Sequence, residues 1–467
     1  MSFLRDIELL LGNEFVLTGN LMQKFLIDWR KRYKGNAIAV VFPRTSSDVA
    51  AVVNLCVFYN VPIVPQGGNT GLCGGATPDT SGDSIVLSTT RMNSIIDLDE
   101  INNSITVEAG CILKDIQNAA LDYNRVFPLS LASEGSCTIG GNLATNAGGT
   151  QVLRYGNIRE LTLGIEFVNP KGNIVNALRS LRKDNSGYSL RDLYIGSEGT
   201  LGIITAATLK LFPKPFGKKV LLVSVASLEQ AVSLFSYSRS FFCVKITAFE
   251  LMSALCIDLV QKLIDLPKNF IYKAPWFVLI EISYDNNDHE IVDLISSFLE
   301  NAVSNNLIID AIVSNSLKQN EEIWLLRESI PIAEKELGKA IKHDISIPIS
   351  SITSFVKETN SLIQTEFPGV QHIIFGHIGD GNLHYNIAKA SWQSEYQLLS
   401  SQYDIYNIVH NMVVNFGGSI SAEHGIGVLK VDELSKYKSA SELSMMRMIK
   451  ESIDPQNIMN PGKILDI

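Results

Sequence analysis

The chain has 467 residues, more than one ordinary hydrophobic core holds together, so two or three domains are expected. Hydrophobic residues make up 46% and charged residues 19%, with no low-complexity tract, which is the balance of a globular protein. With 39 basic and 48 acidic residues the net charge is −9, and no basic block exceeds "RKRYK" at 30–34. This argues against a nucleic-acid partner, because a phosphate backbone demands a clustered positive surface.

Six cysteines, at 56, 73, 111, 137, 243 and 256, show no CxxC spacing and read as reduced or buried thiols of a cytosol-like compartment. The opening stretch "MSFLRDIELLLGNEF" carries Asp6 and Glu8 and has neither the apolar length of a secretory signal nor a transit-peptide pattern. Residues 49–78 hold no charge, but Asn54, Asn60, Pro62 and Pro65 interrupt them before about 20 apolar residues accumulate. No membrane span is expected. The expected location is cytoplasmic, with peripheral docking on a membrane left open.

In chain order, Thr45 with Asp48 three residues on predicts a capped helix, and Val49, Val52, Val53, Cys56 and Val57 follow helical spacing. The helix should stop near Asn60, with "VPIVP" as a short buried strand and a glycine-rich loop at once after it. That loop fails the dinucleotide fingerprint: its glycines, at 67, 68, 71, 74 and 75, lead into "ATPDTSGDSIVLS", a turn and a strand instead of a helix. Two further glycine-rich loops follow, "SCTIGGNLATNAGGT" at 136–150 and "GSEGTLGIIT" at 196–205, separated by strands such as "SITVEAG" and "LGIEFV". Any one of them reads as a tight turn. Together they offer backbone N–H groups that approach an anion closely, as a phosphate cradle does.

Past "KLFPKPFGK" (210–218) the style changes to alternating strands ("VLLVSV", "WFVLIEISY") and amphipathic helices ("NEEIWLLRESI"), predicting a second, α+β domain with an antiparallel sheet. From Ser400 the pattern is mainly helical, interrupted by "GGSISAEHGIG" and ending in "DPQNIMNPGKIL".

Within "FGHIGDGNLHYNI" (375–387), His377 and His384 stand seven apart. On a continuous strand they would face opposite sides, because side chains alternate, but "IGDGN" supplies a turn that lets both imidazoles face one point. A hairpin with two incidental histidines is the plainer alternative. Downstream, "SAEHGIG" sets Glu423 and His424 between small residues, and two histidines with one carboxylate and an open position form a recurring catalytic zinc set. His424 as a third ligand, or Glu423 as a buried ion-pair partner, remain alternatives. His343 and His372 match no motif position and read as structural.

The stretches "PQGGNTGLCGG", "SCTIGGNLATNAGG", "LRKDNSGY", "GSEGTLGIITAATLKLFPKP", "GHIGDGNLH", "SAEHGIG" and "NPGKIL" together resemble the FAD-linked 2-hydroxyacid dehydrogenases of the vanillyl-alcohol-oxidase superfamily. The likeness runs from about residue 40 to the C-terminus and is greatest to the D-2-hydroxyglutarate dehydrogenase branch. It implies a two-lobed, non-Rossmann FAD-binding domain over 1–215, an α+β substrate domain over 216–399, and a helical segment over 400–467 that contributes to the active site. The activity implied is oxidation of a D-2-hydroxy acid to the 2-oxo acid, D-2-hydroxyglutarate foremost, with D-lactate or glycolate oxidation as the near alternative. A non-catalytic flavin subunit of a larger complex is the distant one.

The resemblance also assigns residues. Pro65, Gln66, Gly67, Gly68, Asn69, Thr70 and Gly71 would hold the pyrophosphate. Ser133, Gly135, Ser136, Thr138, Gly140, Gly141, Asn142, Thr145, Asn146 and Gly148 would line the flavin and adenosine, together with Glu198, Gly199, Gly202, Ile203 and Ile204. The first loop has Asn69 and no histidine, so the FAD is expected to be non-covalent. His377, His384 and Glu423 match the metal ligands, for zinc or another divalent ion, and His424 matches the catalytic base and a substrate contact. Arg327, Lys342 and Asn386 match substrate-anchoring positions, although a solvated helix-face arginine is the plainer reading of Arg327. One departure is Pro331, where the D-2-hydroxyglutarate branch carries threonine, with Ser329 the nearest hydroxyl. The expected partners are a small 2-hydroxy acid and an electron acceptor (flavoprotein, quinone or cytochrome), with a homodimer as one compatible assembly.

Overall fold

The structure is a computed structural model that describes residues 2–265, 273–285 and 288–467. The chain forms two compact units: Met1–Gly149, Gly156–Lys214 and Glu423–Ile467 make the first, Thr150–Tyr155 and Pro215–Ala422 the second. The main break thus falls beside the paired prolines of "KLFPKPFGK". Residues 400–467, set apart in the sequence reading, divide between the units at Ala422 and Glu423.

In the first unit, β1 (Val16–Leu17), β2 (Ala39–Val41), β3 (Ile63–Gln66) and β4 (Ile85–Ser88) form a sheet in the order β1-β2-β4-β3, with β2 and β3 both parallel to β4. The helix Ser46–Tyr59 carries the chain from β2 to β3. Its start is capped as expected, since Thr45 Oγ1 accepts from Asp48 N at 3.0 Å. The Asp48 carboxylate reaches one residue further than a capping box requires, to Arg44 N. Asn60 ends the helix in the left-handed region. The face formed by Val49, Val52, Val53 and Cys56 is fully buried with Ile63, Ile85 and Leu87, and each such aliphatic side chain contributes about 1.5–3 kcal/mol.

The second sheet of this unit is wholly antiparallel. It contains β5 (Ile95–Asp99), β6 (Ser104–Glu108), β8 (Thr162–Val168), β9 (Ile174–Ala177) and β10 (Ile203–Lys210) in the order β5-β6-β10-β8-β9, while the short β7 (Arg125–Val126) pairs with β11 (Phe212–Pro213). All three glycine-rich stretches lie in connections: after β3, between β7 and β8, and just before β10. The β3–β4 connection holds no helix, in keeping with the failed dinucleotide fingerprint.

In the second unit seven strands, β12 (Gly217–Val225), β13 (Ile246–Ser253), β14 (Trp276–Tyr284), β15 (Asp310–Val313), β16 (Asp344–Ser346), β17 (Gln371–Gly376) and β18 (Asn382–Ala388), form one antiparallel sheet in the order β15-β12-β14-β13-β17-β18-β16. The helices Leu228–Phe242, Ala254–Val260 and Leu317–Glu328 pack on β13 and β14, β17, and β12 respectively. This α+β unit with an antiparallel sheet is the one expected. Among the described residues no helix is long and apolar enough to cross a membrane.

The C-terminal helix Ala440–Ile453 is fixed to the first unit by a buried ammonium. Lys450 Nζ donates to Thr200 O (2.9 Å), Met459 O (2.9 Å) and Asp454 Oδ2 (2.5 Å). Burial lowers the Lys450 pKa, and Asp454 opposes the shift. Removing one partner of a buried, fully bonded pair leaves a charge without compensation. Lys450→Ala should therefore destabilise the protein by about 3–5 kcal/mol, and its thermal midpoint in calorimetry should fall by many degrees. An unchanged midpoint would show that the pair is dispensable.

Candidate active site

The β17–β18 hairpin of the second unit carries both expected histidines. Phe375 on β17 pairs with His384 on β18, and the chain turns through 377–381. Gly381 takes φ +88° with no room for a side chain, since a Cβ there would lie 2.4 Å from Ile347 O. The turn brings the His377 and His384 rings to a centroid distance of 6.0 Å. At the turn, burial pushes the Asp380 carboxyl up to about 6, with His377 pulling the other way.

Each imidazole has a carboxylate behind it. His377 Nδ1 lies 2.7 Å from Glu250 Oε1, and His384 Nδ1 lies 4.0 Å from Asp344 Oδ1 on the neighbouring strand β16. Neither carboxylate was singled out in the sequence. Glu250, fully buried on β13, also accepts from Arg327 Nε at 3.0 Å through its other oxygen. Burial alone would raise the Glu250 pKa, but His377 and Arg327 hold it below the usual carboxylate range. Arg327 is accordingly buried, not a solvated helix-face arginine, and its guanidinium lies 4.8 Å over the Phe375 ring. With Nε engaged by Glu250, the terminal fork is the edge suited to a ligand carboxylate.

Lys342 and Asn386 meet at a second buried carboxylate. Lys342 Nζ pairs with Glu334 Oε1, and Asn386 Nδ2 donates to Glu334 Oε2 at 2.9 Å. The Asn386 Oδ1 accepts from His343 N at 3.2 Å, so this amide is bonded at both ends within the protein. His343 Nδ1 meets Tyr385 O at 2.7 Å, and His372 bridges Gln364 and Tyr385, placements that fit structural roles.

In the first unit the glycine-rich loops pack on one another. A Cβ on Gly67 would fall 2.1 Å from Thr138 Oγ1, and one on Gly68 would fall 2.0 Å from Ser136 O, so only glycine permits the approach. Thr138 Oγ1 is buried without a protein hydrogen-bond partner. Gly71 and Gly135, on the same two loops, border open space. A polar atom awaiting a partner beside a backbone cradle is what a pyrophosphate-bearing ligand requires.

Several side chains expected at a cofactor make hydrogen bonds within the protein. Gln66 Nε2 donates to Phe25 O and Ala76 O, and Asn69 Nδ2 donates to Ile27 O. Asn146 Oδ1 accepts from Arg159 N, and Thr145 Oγ1 donates to Gly141 O. Asn142 Nδ2 faces Cys137 Sγ, Ser136 Oγ donates to Ser133 O, and the Glu198 carboxylate accepts from Ile426 N and Gly427 N. These residues shape the loops. Glu423 and His424 open the last stretch of the first unit, half-buried, directly after Ala422, whose N–H donates to Asp344 O at 3.2 Å.

Residues 37–178 match the FAD binding domain family and residues 214–464 the family of FAD linked oxidases, C-terminal domain. The mitochondrial D-2-hydroxyglutarate dehydrogenase of Danio rerio is 36% identical over 465 residues, 100% of this chain and 85% of that protein. The D-2-hydroxyglutarate dehydrogenase of Xanthomonas citri pv. viticola is 36% identical over 439 residues, 94% and 91%. A mitochondrial protein of Schizosaccharomyces pombe, named as a candidate D-lactate dehydrogenase, is 35% identical over 451 residues, 95% and 84%. Among solved structures, p-cresol methylhydroxylase with substrate bound superposes with a TM-score of 0.76 at 17% identity, covering 99% of this chain and 96% of that one. Alkyldihydroxyacetonephosphate synthase gives 0.75 at 19%, covering 98% and 84%. These two show the fold.

Gly68→Ala forces Ser136 and the loop behind it to move. Its dissociation constant for FAD should rise roughly tenfold or more, equivalent to about 1.4 kcal/mol, read from flavin absorbance after dilution and filtration. Full retention of FAD would show that the two loops do not form the cradle.

Proposed function

Because the chain belongs to the FAD-linked oxidases, as an FAD-dependent oxidoreductase homologous to D-2-hydroxyglutarate dehydrogenases, we propose that it oxidises D-2-hydroxyglutarate to 2-oxoglutarate with the help of a divalent cation. His377, His384 and Glu423 would hold the cation, and His424 would accept the hydroxyl proton. The observation that carries this reading is the hairpin that sets the two imidazoles 6.0 Å apart while Glu250 takes the Nδ1 of His377. That hydrogen bond makes Nε2 the ligating atom, the usual arrangement of a carboxylate behind a metal-bound histidine. Two nitrogens and one carboxylate oxygen suit zinc first, with manganese or iron tolerating the same set.

The charge balance supports a cation as well. Arg327 is neutralised by Glu250 and Lys342 by Glu334. An anionic substrate arriving here meets two cations already paired, and a divalent ion on neutral imidazoles restores positive potential where the acid must bind.

A cation held by His377, His384 and Glu423 would supply Lewis acidity toward the substrate hydroxyl, and bound FAD would supply hydride-accepting chemistry. The chain's own residues do the rest. His424 would accept the proton, imidazole being the side chain type best suited to that task near neutral pH. Arg327, oriented by Glu250 and by the Phe375 ring, offers its fork to a carboxylate. The backbone of 65–71 would hold the pyrophosphate and the loop at 133–149 would line the flavin and adenosine, with non-covalent attachment expected because the first loop has Asn69 and no histidine. A monocarboxylate such as D-lactate is the second reading. It is favoured by Pro331, four residues after Arg327, where a ring nitrogen without N–H cannot serve a second carboxylate.

Anaerobic mixing with a panel of 2-hydroxy acids tests the proposal. D-2-hydroxyglutarate should bleach the flavin fastest, and prior stripping with a chelator should abolish bleaching until a divalent metal is returned. Equal rates with and without chelator would remove the cation from the account, and faster bleaching by D-lactate would select the second reading. His424→Ala should retain FAD while its flavin reduction slows by about 10²–10⁴-fold. A wild-type rate would exclude His424 as the proton acceptor.

A further inference from the structure

Glu198 stands in "GSEGTLG", a stretch that the family likeness assigns to cofactor binding, yet both of its carboxylate oxygens are used elsewhere. Oε1 accepts from Ile426 N at 2.7 Å and Oε2 from Gly427 N at 2.8 Å. The side chain is buried, so these bonds are shielded from water. Burial raises the Glu198 pKa, opposed by those two amides and by the charges of Lys430 and Lys463. A second negative charge aimed at a pyrophosphate would repel it, which also speaks against a cofactor ligand.

The loop that Glu198 grips begins directly after Glu423 and His424. It is held at several further points within the first unit. Cys73 O accepts from Val428 N (2.9 Å) and Leu429 N (3.2 Å), and Cys73 Sγ lies 3.4 Å from Gly425 O. Gly425 and Gly427 both take positive φ, with no space for a side chain. A Cβ on Gly425 would sit 2.7 Å from Glu198 Oε1, and one on Gly427 would sit 2.2 Å from Cys73 O. Glu198 is itself fixed at both backbone ends, its N–H donating to Ala144 O (2.8 Å) and its carbonyl accepting from Asn460 Nδ2 (2.7 Å), which also reaches Gly75 O.

We infer that Glu198 is a positioning residue that sets the backbone path carrying Glu423 and His424, and that it is not a ligand of FAD. The positional part of this inference rests on the roles proposed for Glu423 and His424, whereas the grip on the loop does not. A shift of about 1 Å in a reacting group costs on the order of 10²-fold in rate, so a loop held by two charge-assisted bonds is a sensitive place to lose one.

Glu198→Gln tests it, because the amide keeps the size but turns one acceptor into a donor facing an N–H. The FAD-loaded variant is compared with wild type by hydrogen–deuterium exchange of peptides covering 424–429, by bound FAD per chain, and by kcat and KM. The expected result is exchange at Ile426 and Gly427 about tenfold faster, with FAD content unchanged and kcat reduced more than tenfold. FAD lost in step with activity while loop exchange stays at the wild-type rate would overturn the inference, and so would no change in any readout. Glu198→Asp, one methylene shorter, should loosen the same amides and decides the matter if the glutamine variant exchanges faster throughout β12 and β14, the sign of general unfolding. Exchange is read without substrate or added metal. A loosened loop in a protein that oxidises no 2-hydroxy acid would thus reject the proposed function while leaving the grip intact.

Discussion

One fully buried carboxylate, that of Glu250, ties together His377 and Arg327, the residues of the second unit proposed for the metal and the substrate. One oxygen holds His377 Nδ1 and the other holds Arg327 Nε. A lone carboxylate in the interior would cost several kcal/mol and would take up a proton, so Glu250 is tolerable only with both partners present. The dependence runs the other way too. Without Glu250, Arg327 would be a buried cation with no counter-charge, and the His377 ring would lose the contact that sets its tautomer and direction. The residues proposed for a metal and for a substrate carboxylate, His377 and Arg327, thereby share one side chain.

Glu334 repeats the logic with Lys342 and Asn386. Arg327 and Lys342, the cationic groups proposed for the substrate, are both paired within the protein, which suits them to direct a carboxylate more than to attract it. In the proposed reaction such orientation would matter, because hydroxyl and carboxylate sit on the carbon that loses hydride. The first unit contributes differently: its glycines let the loops at 67–68 and 136–138 touch, and its carboxylate at Glu198 organises backbone instead of side chains. In both units buried glutamates do the positioning, and the groups assigned to the chemistry are what they position.

Much of this organisation was legible in the sequence where the signal is local. The cap at Thr45, the helix ending at Asn60, the absence of a helix after the first glycine loop and the turn between His377 and His384 all depend on residues a few positions apart. The long-range pairings were not legible. Glu250 sits in "ITAFELMS", where an acid in a strand reads as a solvent-facing position, and its partners lie 77 and 127 residues away. Glu198 meets its amides across 228 and 229 residues, so the glycine-rich stretch around it reads as cofactor loop alone. Arg327 was best read as a solvated arginine for the same reason. The interruption "GGSISAEHGIG" in the helical segment from Ser400 is visible in the sequence, but nothing local says that the chain passes from one unit to the other there, at Ala422.

The proposed chemistry needs a cation held by His377 and His384, the first of which Glu250 orients. Zinc titration of chelator-stripped, FAD-loaded protein, followed with a competing chelating dye, measures this without any turnover. One tightly bound ion per chain is predicted for the wild type, with affinity lowered about 10–100-fold in Glu250→Gln and FAD content unchanged. No stoichiometric ion in the wild type, or equal affinity in the two proteins, would contradict it.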